Sequence, residues 1–306
     1  MKKYSKVSLI GAASGWGAQN KLTEEGPIFL KKHYRLIKQN FFDNSITWRR
    51  TLNPKKTFRE STSSDLSFEE IEDLILNFSI NLSEEVISCL NDKNFPLILG
   101  GDHSIAIGTW SGVVQANNCH EKLGLIWIDA HMDAHTPNTS LSQAIHGMPL
   151  ALLMNYGSQK IRSVLFNNKT IINPEYVTLI GIRSFEEEEK QLLKMLGVKV
   201  YYIEEVFAKG FENVFNNALD YLTNLTSFIG LSIDIDAFDP KFAPGTGCRE
   251  KNGLLPHDFI MTLDKINLLN TFTALEIVEY NPSLDKDFLT FNLIKDIINL
   301  CNKPPI

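Results

Sequence analysis

The sequence predicts an α/β fold carried by a largely parallel sheet. Two observations point there. Eight short β-rich runs recur along the 306 residues, separated by stretches of helical periodicity. Most of those runs are continuously apolar rather than alternating, as strands buried on both faces must be.

In chain order, strands are expected at Val7–Ile10, Ile46–Trp48, Pro96–Leu99, Leu123–Ile128, Val177–Ile180, Val198–Ile203, Phe228–Ile233 and Phe272–Val278. Helices are expected over Phe68–Leu90, Ile105–Gln115, Phe185–Leu196, Phe211–Leu225, Pro256–Leu269 and Phe288–Leu300. The first helix is the clearest. Phe68, Ile71, Leu74, Ile75, Phe78, Leu82, Val86 and Leu90 fall at helical spacing. Ser67 and Glu70 can close a capping box in front of it. The run Tyr4–Ile10 follows two lysines, but its apolar stretch is short and no cleavage pattern succeeds it. It therefore reads as a strand, not a signal peptide. The polar stretch Thr51–Ser67 reads as a surface loop. Neither a Pro/Ser-rich linker nor a repeat divides the chain, so residues 1–306 are expected to form one domain. These patterns do not separate an open sheet from a barrel.

Composition excludes several classes. An apolar content of 43% rules out a disordered chain. Acids exceed bases, 36 against 30, for a net charge of −6, which argues against the basic face that nucleic-acid binding needs. No apolar run reaches the roughly 18 residues of a membrane span. Four widely spaced cysteines, with no CxxC pair, fit free thiols in a reducing cytoplasm and speak against a thiolate zinc site.

In parallel sheets, ligands bind beyond the carboxyl ends of the strands. Gly100-Gly101-Asp102-His103-Ser104 follows one strand, Asp129-Ala130-His131-Met132-Asp133 a second, and Asp234-Ile235-Asp236 a third. Alternate residues at a strand end project to one side, so Asp129, His131 and Asp133 are expected to converge, as are Asp234 and Asp236. With His103 they bring two imidazoles and four carboxylates together. Four packed carboxylates repel unless protonated or neutralised. Two divalent ions would match their charge. Oxygen and imidazole donors without thiolate suit Mn²⁺, with Co²⁺, Fe²⁺ or Ni²⁺ compatible by ligand type. Two such ions sharing a water would make hydroxide near neutral pH.

On these motifs the chain resembles the ureohydrolase family, which includes arginase, agmatinase, guanidino-acid hydrolases and formimidoylglutamase. Gly11-Ala12 with Glu24-Glu25-Gly26-Pro27, His146-Gly147-Met148-Pro149 and Glu279-Tyr280-Asn281-Pro282 extend the likeness over nearly the whole chain. The resemblance implies a three-layer α/β/α fold with a mainly parallel, eight-stranded sheet, two Mn²⁺ ions, and trimers or hexamers. It implies His103, Asp129, Asp133 and Asp234 around one ion, and His131, Asp129, Asp234 and Asp236 around the other. It also implies that a metal-bridging hydroxide attacks a guanidinium carbon. Asp133 would orient it and take its proton, Glu279 would grip the guanidinium, and His146 would shuttle a proton to the leaving amine.

Within the family, the segment His135–His146 resembles the arginase loop that binds an α-carboxylate, through His135, Ser140 and Ser142 by position. Glu186, assisted by Glu189, matches the acid for the α-amino group. The leading expectation is hydrolysis of L-arginine to L-ornithine and urea. The alternatives are formimidoylglutamate, agmatine or guanidino acids as substrate, and a non-enzymatic binding relative, which would require lost metal ligands. The chain departs from the arginase pattern at His135 and Ala144, where asparagine is usual, at Glu186 in place of Asp, and at Cys248, which replaces a threonine beside the substrate. Arg249 next to it would offer a positive charge to an acidic substrate.

Overall fold

A computed structural model describes residues 4–41, 45–53 and 66–302. The first half of the chain runs β1 (Val7–Ala12), α1 (Glu25–Lys32), α2 (Tyr34–Lys38), β2 (Ile46–Leu52), α3 (Phe68–Asn91), β3 (Phe95–Gly100), α4 (Ala106–Asn117), β4 (Leu123–Ile128), α5 (Pro149–Leu153) and α6 (Gln159–Phe166). It continues β5 (Val177–Ile182), α7 (Glu187–Leu196), β6 (Lys199–Tyr202), α8 (Ile203–Lys209), α9 (Phe211–Leu225), β7 (Phe228–Asp234), α10 (Pro256–Asp264), α11 (Leu268–Thr271), β8 (Ala274–Val278) and α12 (Leu289–Asn299).

The eight strands form one open sheet in the order β2-β1-β3-β8-β7-β4-β5-β6, and every pairing is parallel. This resolves the open-sheet or barrel ambiguity. Residues of β1, β3, β4, β5 and β8 are buried throughout, which is why those runs carry no polar face. Successive side chains still point to opposite layers. Leu9, Ile126 and Ile128 join α1, α2, α8, α9, α10 and α12 on one face. Ile10, Leu125 and Trp127 join α3 to α7 on the other. The result is three layers, helix–sheet–helix.

Some elements differ from expectation. Thr51 and Leu52 belong to β2, and the expected loop beyond them, residues 54–65, lies outside the described residues. The stretch Pro256–Leu269 is two helices, because Asn267 caps a second one. Ile203 starts α8 instead of ending a strand. The capping box of α3 forms between Ser67 and Glu70. Among the described residues, no helix is long and apolar enough to cross a membrane. All four cysteines are free.

Candidate metal centre

The acids and histidines leave the carboxyl ends of four strands that are adjacent in the sheet: β3, β8, β7 and β4. Gly101 makes the first turn possible. It runs so close to the loop after β1 that a Cβ would lie 1.8 Å from the Ser14 carbonyl oxygen. Asp133 takes a left-handed φ of 49°. Strand period alone therefore does not bring Asp133 beside Asp129; a turn does.

Each aspartate is aimed by its backbone neighbours. One oxygen of Asp129 accepts from the His131 N–H at 2.7 Å, and one of Asp234 from the Asp236 N–H at 2.8 Å. The other oxygens face imidazoles. His103 Nδ1 lies 3.1 Å from Asp129, 3.0 Å from Asp133 and 3.1 Å from Asp234. His131 Nδ1 lies 3.1 Å from Asp236 and 3.5 Å from Asp129. Two sets of ligand atoms, His103–Asp129–Asp133 and Asp129–His131–Asp236, are each compact enough to hold an ion, and Asp129 belongs to both.

A hydrogen-bonded chain runs behind His103. Ser232 Oγ donates to Glu276 at 2.7 Å and lies 2.9 Å from His103 Nε2, placed to accept from it. In the neutral form that an ion would require, the ring turns its Nδ1 lone pair toward the three carboxylates. Nδ1 is buried and makes no well-directed hydrogen bond to any of them. A lone pair amid carboxylate oxygens fits a cation at their centre, not a hydrogen-bonded cluster. Trp127 fixes the arrangement from behind. Its ring stacks on His103 with centroids 4.1 Å apart, and its indole N–H donates to Asp129 at 2.9 Å.

Electrostatics agree. Burial, then the charge of Asp129, pushes Asp133 up to about 6. Burial, then Asp236 and Asp129, lifts Asp234 well above the carboxylate range. Without an ion the balance is held by protons: burial opposes charge on His103 and His131, yet the aspartates around them raise both imidazoles well above their ordinary value, and those two neighbours outweigh burial at Asp129 and hold that carboxyl low. The cluster takes up protons unless another cation neutralises it.

The cluster floors a cleft of about 310 Å³. Glu279 and His146 stand on its wall. One oxygen of Glu279 accepts from the His103 N–H and faces His146 Nδ1, both at 2.9 Å. Burial opposes charge on His146, yet the Glu279 carboxylate outweighs it and raises the imidazole to about 9. Toward the mouth, His135 Nε2 meets Glu186 at 2.9 Å and Glu189 at 3.4 Å. Ser140 and Ser142 hydroxyls lie 3.3 Å apart. The acids of α7 also serve its start: Glu186 and Glu189 form a capping box, and burial pushes Glu189 up to about 8.

Cys248 lines the cleft as an exposed side chain; desolvation and then the charge of Glu279 push its thiol up to about 12, which favours the neutral thiol. Arg249 departs from its expected place beside an acidic substrate. It does not line the cleft; its guanidinium donates to the carbonyls of Pro244 at 2.8 Å and Leu284 at 3.1 Å. Ser232, Glu276 and Trp127 were not anticipated. A signal existed for Glu276: an acid inside a buried apolar strand requires partners.

Comparison with known proteins places this geometry. A model of the Arginase family matches residues 5–301. An arginase of Staphylococcus aureus strain MRSA252 is 31% identical over 286 residues, 93% of either chain. The arginase structure from Bacillus caldovelox superposes with a TM-score of 0.85 at 31% identity and covers 100% of both chains. The Entamoeba histolytica arginase in complex with L-ornithine gives 0.84 at 28% identity over 98% of this chain and 99% of that one.

Proposed function

The chain belongs to the arginase family of C–N hydrolases acting on linear amidines, and from that premise we propose that it converts L-arginine to L-ornithine and urea with two Mn²⁺ ions. The observation that carries this reading is the layout of one cleft. Carboxylates and imidazoles occupy its floor, and a His135–Glu186–Glu189 cluster with Ser140 and Ser142 occupies its mouth. That suits a substrate with a guanidinium at one end and an amino-acid head at the other. The ornithine complex of the Entamoeba relative supports the same substrate class.

In this reading His103, Asp129, Asp133 and Asp234 hold one ion, and His131, Asp129, Asp234 and Asp236 the other. When bound, the ions supply Lewis acidity that brings the pKa of water toward neutrality. Asp133 orients the attacking water and takes its proton. Glu279, with one oxygen committed to His103 and His146, uses the other to accept from the planar guanidinium. His146, kept charged by Glu279, gives a proton to the leaving amine. His135, Ser140 and Ser142 bind the α-carboxylate, and Glu186 with Glu189 the α-amino group; Cys248 is a small neutral wall. The proposal extends to a single-domain, cytoplasmic enzyme that assembles as a trimer or hexamer, which light scattering checks.

The test is a substrate panel on Mn-loaded protein: arginine, agmatine and guanidinobutyrate assayed for urea, formimidoylglutamate for formamide. Urea and ornithine from arginine are expected. No urea from arginine between about pH 7 and about pH 10, a span that brackets the Glu189 and His146 midpoints near 8 and 9, overturns the substrate.

A further inference from the structure

Asp102 takes no part in the chemistry above, yet it is fully buried at the edge of the centre. One oxygen caps the short turn that carries His103, accepting from the Ser104 N–H at 2.9 Å and from the Ser104 hydroxyl. A neutral Ser or Asn side chain could cap such a turn equally well. Burying a carboxylate is costly unless both oxygens are satisfied. The second oxygen is satisfied 85 positions away in sequence: it accepts from the Gly17 N–H at 2.8 Å. The Gly17 carbonyl accepts in turn from the His146 N–H at 3.1 Å.

The link closes into a ring. His146 Nδ1 meets Glu279 at 2.9 Å, and the Glu279 N–H donates at 2.7 Å to the carbonyl of Gly101, the neighbour of Asp102. His146 is thus held by its backbone through Gly17 and by its ring through Glu279, and both holds start from Gly101–Asp102. A Cβ at position 17 would force the Asp102 and Ser104 side chains to shift, since it would lie 2.6 Å from Asp102 Oδ1 and 2.7 Å from Ser104 Oγ.

We propose that Asp102 is a positioning residue for His146: acting through Gly17, it sets the place of the His146 backbone from which the imidazole reaches Glu279 and the cleft. This rests on the proton-donor role given to His146 above.

The experiment uses Mn-loaded enzyme and the substrate that turns over in the panel. Asp102→Asn keeps an acceptor for Ser104 and turns an amide N–H₂ against the Gly17 N–H. Gly17→Ala attacks the same link from its other end. Each is expected to lower kcat by about ten- to a hundredfold, the scale of a misplaced catalytic group, with KM changed less than about twofold. Bound metal per chain should equal that of the parent. Ser104→Ala, which removes a contact on the capping side, should keep nearly the parental kcat. In the His146→Asn background, neither Asp102→Asn nor Gly17→Ala should cost anything further.

Losses that multiply in the double variants overturn the link, as does a Ser104→Ala loss equal to that of Asp102→Asn. Loss of metal in Asp102→Asn also overturns it, because the effect would then run through His103. A parental kcat in His146→Asn alone defeats the proton-donor role and the link with it. A lowered kcat there with multiplying losses defeats the link alone. Should Asp102→Asn fail to fold, Gly17→Ala carries the same comparison.

Discussion

Buried polar residues here act in chains, and the direction of each proton is set by the next partner. Glu276 accepts from the Ser232 hydroxyl, whose oxygen is placed to accept from His103 Nε2 and so leave Nδ1 facing the proposed metal position. His146 is governed in the same way by Glu279, and this gives a signed prediction. Its folded pKa, about 9, lies above the ordinary 6.5. The charged pair therefore stabilises the metal-free chain fully below about pH 6.5 and ceases to do so as pH rises through about 9. Thermal midpoints of metal-stripped parent and His146→Asn should differ most near pH 6 and converge near pH 10. A gap that is constant or widens with pH would show that Glu279 does not hold His146 charged.

At the scale of elements, α3 and α4 pack unusually closely. A Cβ on Gly112 would lie 2.7 Å from the Ser83 carbonyl and 2.8 Å from Val86 Cβ; one on Gly108 would lie 2.8 Å from the Ser79 carbonyl. Alanine gains up to about 1 kcal/mol over glycine inside a helix. Overpacking against a neighbouring backbone costs about 1–3 kcal/mol. The second effect is the larger, so Gly112→Ala should lower the thermal midpoint by a few degrees; a rise would mean the helices separate freely. Legibility in the sequence followed the same division between local and distant effects. Most strands could be read because burial on both faces writes a continuous apolar run; the half-exposed edge strands β2 and β6 were legible from their β-branched and aromatic residues instead. α1, α2, α5, α6 and α8, each of five to eight residues, are too short to show a clear helical period and were missed. The ligand types were legible because His and Asp crowd three strand ends. The left-handed turn at Asp133 was not, nor was the bond from Asp102 to Gly17, because tertiary contact alone creates both.

Across the whole molecule, the proposed ligands hang from β3, β4 and β7, so bound ions would tie together three strands of the sheet. They would also neutralise four carboxylates that otherwise repel within one buried volume. Loading should therefore stabilise the fold, by about 2.7 kcal/mol for each ion site when free Mn²⁺ is about a hundred times that site's dissociation constant. Ligands must shed protons to bind. Burial and Asp129 place the Asp133 midpoint near 6 in the metal-free chain, so protons compete with the ion as pH falls through that value. The gap in thermal midpoint between Mn-loaded and chelator-stripped protein should accordingly be wide near pH 7.5 and narrow near pH 5. Asp129→Asn, which removes the carboxylate shared by both ligand sets, should close most of the gap at either pH. If that variant keeps the parental gap, the stabilising ions sit elsewhere on the chain, and the assignment of the floor of the cleft as the metal centre falls.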